Sequence, residues 1–205
     1  MRSATLAVLF LAAVADAETF KLDSKKSELI VKTWKDGVAS GLAHNHVIRA
    51  SDPSGEITWD AANAEATKIS VSLNVAALVV DRQDMRKKYG EDSETSARDK
   101  NTVTDHMLGE GQLNVAKFPT IRFVSTTFVK DAKGFTVTGK LTIHGVTREV
   151  KLPVKVEEKG GEVTGDGALK IKTSDFGFQP YSGLLGAVRN KDEVDLFLHL
   201  VGVKK

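Results

Sequence analysis

The stretch from Gly134 to Val154, GFTVTGKLTIHGVTREVKLPV, decides how the rest of the chain is read. Its apolar residues fall on alternate positions, Phe135, Val137, Leu141 and Ile143 before the middle and Val150, Leu152, Val154 and Val156 after it. A period of two belongs to a strand with one dry and one wet face. Between the runs, Gly145 in Ile143-His144-Gly145-Val146 can take the positive φ of a tight turn, so the stretch predicts a β-hairpin.

Working outward, the same alternation recurs. Ile69, Val71, Leu73 and Val75 interleave with Lys68, Ser70, Ser72 and Asn74, and Ile121 and Phe123 flank Arg122. Leu169 and Ile171 share a face, as do Val194, Leu196, Leu198 and Leu200 near the end of the chain. Phe20 to Leu22, Glu28 to Trp34, Val38 to Ile48 and Glu56 to Asp60 read as further short strands separated by turn residues. From Asp81 to Gly111 the alternation stops and charged and hydroxyl residues dominate. There Ser96 to Leu108 predicts one short helix, with Ser96 as N-cap, Asp99 at the capping-box position and Val103 and Met107 as its apolar contact. Such a connector covers one end of a barrel or stands free as a loop. About eight antiparallel strands and one short helix make this an all-β protein, either a sandwich or a closed barrel. A barrel of eight strands leaves an interior filled by side chains or by one slender ligand.

Composition narrows the function. The chain has 205 residues, a net charge of +2 and no cysteine, so it has neither a disulfide framework nor a thiol nucleophile. The small, scattered charge argues against nucleic acid. Arg2, the apolar run Ala4 to Val14 and Ala15-Asp16-Ala17 have the form of a cleavable signal peptide over residues 1–17, which predicts a single exported domain over residues 18–205, periplasmic or secreted. No serine sits in a nucleophile elbow and no glycine loop has the context of a phosphate cradle. The residues therefore offer no catalytic residue and no cofactor, and they leave open whether the interior is filled by side chains or by a ligand.

One motif offers metal chemistry. In Gly41-Leu42-Ala43-His44-Asn45-His46, an extended backbone puts His44 and His46 on one face, as two imidazoles approaching one ion require. His106 or Asp105 would supply a third ligand for zinc or copper. This is the alternative function, a periplasmic metal-binding protein or metal-dependent enzyme. Against it stands a structural reading in which one histidine hydrogen-bonds in the barrel mouth and the other is solvated. His144 reads as a turn residue, His199 as an outer-face residue, and Asp84, Asp92 and Glu94 as a solvated loop.

Gly139 to Thr147, preceded by Lys117-Phe118-Pro119-Thr120-Ile121-Arg122-Phe123 and followed by Ser174-Asp175-Phe176-Gly177, resembles the YceI-like family. Asp105-His106-Met107-Leu108 and the Gly55 to Asp60 strand are similar to it as well. Two features depart from the family pattern: the connector from Asp81 to Asn101 is longer, and Leu113-Asn114-Val115 stands where two aromatic residues are usual. The resemblance implies an exported, lipocalin-like antiparallel barrel that binds a polyisoprenoid or similar long apolar chain. The expected tunnel wall is Ile69, Val71, Leu73, Val75, Phe123, Leu141, Ile143, Leu169, Ile171 and Phe176. His44, His46 or Arg189 would orient a head group. Transient contact with a membrane or membrane protein fits such a ligand, and a dimer stays open.

Overall fold

The computed structural model describes residues 17–205; the signal-peptide reading falls on residues that, apart from Ala17, lie outside that range. In chain order the strands are β1 (Glu18–Leu22), β2 (Glu28–Thr33), β3 (Lys35–Asp36), β4 (His46–Ala50), β5 (Ser54–Trp59), β6 (Lys68–Asn74) and β7 (Leu78–Val80). Helices α1 (Gln83–Lys88) and α2 (Ala97–Leu108) follow. The long staves come next: β8 (Thr120–Asp131), β9 (Gly134–Ile143), β10 (Val146–Lys159) and β11 (Glu162–Lys172). Short β12 (Ser182–Gly183) and β13 (Val188–Asn190) precede β14 (Glu193–Lys204).

Eight antiparallel strands close into a ring in the order β1-β5-β6-β8-β9-β10-β11-β14, with β14 returning to β1. The hairpin that opened the sequence reading is the join of β9 and β10. Ile143 pairs with Val146, and both His144 (φ 52°) and Gly145 (φ 74°) occupy the left-handed region that a two-residue primed turn needs. Its inward face is the expected one, with Val137, Leu141, Ile143 and Leu152 buried.

β14 pairs with β11 along its length, but its other edge is divided. Asp195 to His199 pair with β2, and Gly202 to Lys204 pair with β1. From β2 the sheet runs on through β4 to β7, a flap beyond the ring at one end of the barrel. The gap beside β7 is filled by side chains instead of hydrogen bonds. Val103, Met107 and Leu108 of α2, with Leu113 and Val115, pack against Val75, Leu78 and Val80. Ser96 caps α2 as expected by accepting from the Asp99 amide at 3.1 Å, and its hydroxyl donates to the Asp99 carboxylate at 2.7 Å. The connector thus covers an end of the barrel.

Two expectations about elements are corrected. Val38 to Ile48 is a strand only from His46; Gly37 (φ 95°) turns the chain away, Ser40–Leu42 forms a 3-10 turn, and Val38 and Leu42 point into solvent. The connector also holds helix α1, beyond the single helix expected, and strand β7 leads into it.

Candidate functional site

The ring encloses a cavity of about 390 Å³. Its wall is built from the inward residues of the staves: Ile69, Val71 and Leu73 of β6, Phe123 of β8, Leu141 and Ile143 of β9, Leu169 and Ile171 of β11, and the leucines of β14. Phe123 lies over Gly139, where a Cβ would stand 2.4 Å from its ring. From Val194 to Leu200 is six residues, so at about 3.3 Å per residue and with the usual strand tilt the cavity is roughly 15–20 Å long. Its mean cross-section is then on the order of 20 Å², the bore of one extended hydrocarbon chain.

One end is a floor. Trp59, Phe128 and Phe135 meet edge to face or tilted, with centroids 4.9 to 5.9 Å apart, and the Trp59 indole donates to Glu158 at 2.8 Å. The other end is a mouth with polar residues, among them Thr33, His46, Thr102, Gln112, Tyr181 and Asn190. The mouth is partly roofed: His106 stacks on Tyr181 at 5.0 Å and the Gln112 amide donates to the Gln179 carbonyl at 3.0 Å.

A buried charge network supports the mouth. His46 Nδ1 lies 2.8 Å from Asp81 Oδ2, while Asp81 Oδ1 accepts from the Val47 amide and from Arg86 Nη1, each at 2.9 Å. Arg86 is fully buried and also donates to the carbonyls of Asn45 and Ser93 and to the Ser93 hydroxyl. Asp81 sits in the left-handed region at φ 52°, which a short polar side chain tolerates. Burial by itself would raise the Asp81 carboxyl. Hydrogen bonds from His46, Val47 and Arg86, with the attraction of the His46 charge, outweigh burial and hold it below its usual range. With Asp81 ionised, Nδ1 carries the proton toward it and Nε2 is the ring nitrogen left for another partner.

A second ion pair pins the same segment to the outside of the flap. Lys32 Nζ meets Glu91 at 2.8 Å and the Tyr89 carbonyl at 2.7 Å, and Asn45 donates to Glu91 at 2.9 Å. For Glu91, burial would raise the carboxyl, but the bonds from Lys32 and Asn45 prevail and lower it. Tyr89 packs on Phe197, and burial followed by the Glu28 carboxylate raises its phenol.

The expected residues divide as follows. Ile69, Val71, Leu73, Phe123, Leu141, Ile143, Leu169 and Ile171 lie together on the cavity wall; Val75 and Phe176 do not. The Asn74 carboxamide accepts from Ala76 at 3.0 Å and starts a 3-10 turn, which takes Val75 off the strand face and into the contact beneath α2. Phe176 belongs to the 3-10 turn Ser174–Phe176 and is buried behind Leu141 and Ile143. Arg189 is spent on Asp36 at 2.8 Å, outside the cavity. The residues of the metal alternative are not brought together. His44 is exposed and precedes β4, His46 is held by Asp81, His106 stacks on Tyr181, and Asp105 joins none of them; among the described residues no three His, Cys, Asp or Glu side chains converge as ligands. His144 packs between Phe118 and Phe178, and His199 bonds Asp166 on the outer face. Sequence reasoning missed Asp81 and Arg86. The one available signal was an Asp directly after the apolar Leu78-Val79-Val80, followed at i+5 by an Arg.

Comparison with known proteins agrees with this geometry. The chain is 29% identical over 210 residues to a UPF0312 protein of Yersinia enterocolitica, covering 97% of this chain and 93% of that protein. It is 31% identical over 160 residues to a UPF0312 protein of Enterobacter, covering 75% and 71%. Among solved structures it is similar to BcnA of Burkholderia cenocepacia, with a TM-score of 0.65 and 25% identity over 88% of this chain and 98% of that one. It also matches the fold of the YceI protein of Campylobacter jejuni, with a TM-score of 0.53 and 20% identity over 77% and 84%. The YceI-like domain model matches residues 20–201, essentially the whole ring from the first stave to the last, and the chain therefore belongs to the YceI-like family.

Proposed function

We propose that this chain binds a polyisoprenoid or similarly long apolar chain inside the barrel and sequesters or carries it without chemical change. The single observation that carries the reading is the cavity: a slender apolar tube closed by aromatic rings at one end and rimmed by polar groups at the other. Each Å² of apolar ligand removed from water is worth about 25 cal/mol, so a chain filling the tube is held with few polar contacts. Membership of a family of barrels known for apolar ligands supports it. At the mouth, His46 is the residue we assign to the ligand's polar end. Asp81 occupies Nδ1, so Nε2 is the ring nitrogen left to hydrogen-bond a hydroxyl head. From the signal-peptide form of Arg2 to Ala17 we propose that it acts in the periplasm or outside the cell.

The test is mass spectrometry of organic extracts from freshly purified protein, with Leu141→Trp as the control that fills the tube. One long apolar molecule per protein, absent from the folded L141W variant, is the expected result. Wild type that carries none and takes up no long-chain alcohol would overturn the reading.

A further inference from the structure

Four large apolar side chains stand in solvent on two adjoining loops at the mouth. Val38 (98% exposed) and Leu42 (78%) lie between β3 and β4; Leu184 (68%) and the fully exposed Leu185 lie between β12 and β13. Leu184 and Leu185 also have φ of 48° and 54°, a region that residues with a Cβ avoid and that glycine or asparagine fills readily. These leucines therefore occupy an unfavourable backbone and receive no packing in return, so stability of the isolated protein does not account for them.

The loops form a braced platform. Strands β12, β13 and β3 make a small sheet, and Arg189 bonds Asp36 across it. The Ala39 amide donates to the Ala187 carbonyl at 2.8 Å, and Gly37 comes so close that a Cβ would stand 2.4 Å from that carbonyl oxygen. The platform is continuous with the cavity, since Tyr181, Asn190 and Lys191 on the same segment line its mouth. Arg189 pairs with Asp36 and Asp192 bonds Ser174, so Lys35 and Lys191 are the cations of the platform that have no carboxylate partner among the described residues.

We infer that this platform docks the protein on a lipid bilayer. The four tips enter the boundary between head groups and acyl chains while the surplus cations face anionic head groups, which brings the cavity mouth to the surface from which an apolar chain is taken or to which it is given. The purpose of docking rests on the apolar-ligand reading above, but docking itself is measured separately.

The experiment is flotation of the purified protein with phosphatidylcholine vesicles, with and without phosphatidylglycerol, beside the variant L184N/L185N. Asparagine suits the left-handed backbone, so this variant should melt at or above the wild-type temperature. Wild type should float, more strongly with phosphatidylglycerol, and the variant should lose at least about tenfold in partitioning for each leucine removed from the bilayer. Uptake of the probe N-phenyl-1-naphthylamine in the absence of vesicles should be unchanged in the variant, which separates failure of docking from failure of the cavity reading. Wild type that stays at the bottom with both vesicles, or a variant that floats like wild type, overturns the inference. So does a concentration-dependent dimer, seen by sedimentation velocity, that the substitutions abolish, because the platform would then face a second copy.

Discussion

The floor and the mouth of the barrel solve the problem of an open end by different means. The floor is made by residues already in the staves: Trp59, Phe128 and Phe135 are the inward side chains of β5, β8 and β9, and their rings meet without any added segment. The mouth is built from pieces distant in the chain: α2 packs on the flap and meets the Tyr181 loop through His106, while His46, Asp81 and Arg86, and Lys32 with Glu91, tie α1 and the residues after it to the flap. Apolar rings lose only contact area when one is cut, whereas buried charges must all be paired. The floor is a closure of packed rings; the mouth adds to its apolar contacts a set of buried charges whose pairings can be broken one at a time.

The sharpest way to break this comparison is Arg86→Met. It leaves Asp81 buried without the guanidinium that bonds Oδ1, and urea unfolding should show a loss of about 3–5 kcal/mol. At the floor, Phe128→Ala should cost a similar or slightly smaller amount, about 3–4 kcal/mol, and should enlarge the cavity so that a bulkier apolar probe is admitted. A stability loss under 1 kcal/mol in either variant would mean that end is not closed as described. Acid separates the two ends more gently. The Asp81 and Glu91 carboxyls are lowered in the folded state from ordinary values of 3.8 and 4.5, so their contribution is complete above those values and is lost as pH falls through the depressed ones. Hydrogen exchange at falling pH should therefore release residues 81–95 before the amides around Trp59 and Phe128. The smallest effect is expected at Thr67, whose buried hydroxyl lines the cavity and has no partner among the described residues. Thr67→Val should be neutral or stabilising by up to about 1 kcal/mol, read by thermal melting.

What could be read in the sequence follows the same division. The staves, their inward faces and the β9–β10 turn were visible because a period of two is local, and the floor residues lie on those faces. The cap of α2 was visible because Ser96 and Asp99 are three residues apart. The mouth was not, because its bonds join residues 35 apart, such as His46 and Asp81, and a buried charge looks like a solvated one until its partner is known. Alternation also carries no signal for where a strand ends: it ran through Val75, although Asn74 had already turned the chain. Val38 misled for the opposite reason, being apolar and entirely outside. Of the tunnel residues, those on staves lie on the cavity wall and the two on 3-10 turns do not.

The divided edge of β14 has a consequence for the order in which the protein is assembled. Phe20 pairs with Lys204 and Glu18 holds the Lys204 ammonium at 2.6 Å, so the first stave of the ring finds its second neighbour only in the last stave. Closure is a contact of nearly the greatest sequence separation this chain allows, and such contacts form late and slowly. The same meeting of ends makes the barrel a natural substrate for circular permutation: joining Lys205 to Glu18 and cutting at the exposed turn of Gly160 and Gly161 rearranges the order of synthesis while leaving every stave beside its neighbours.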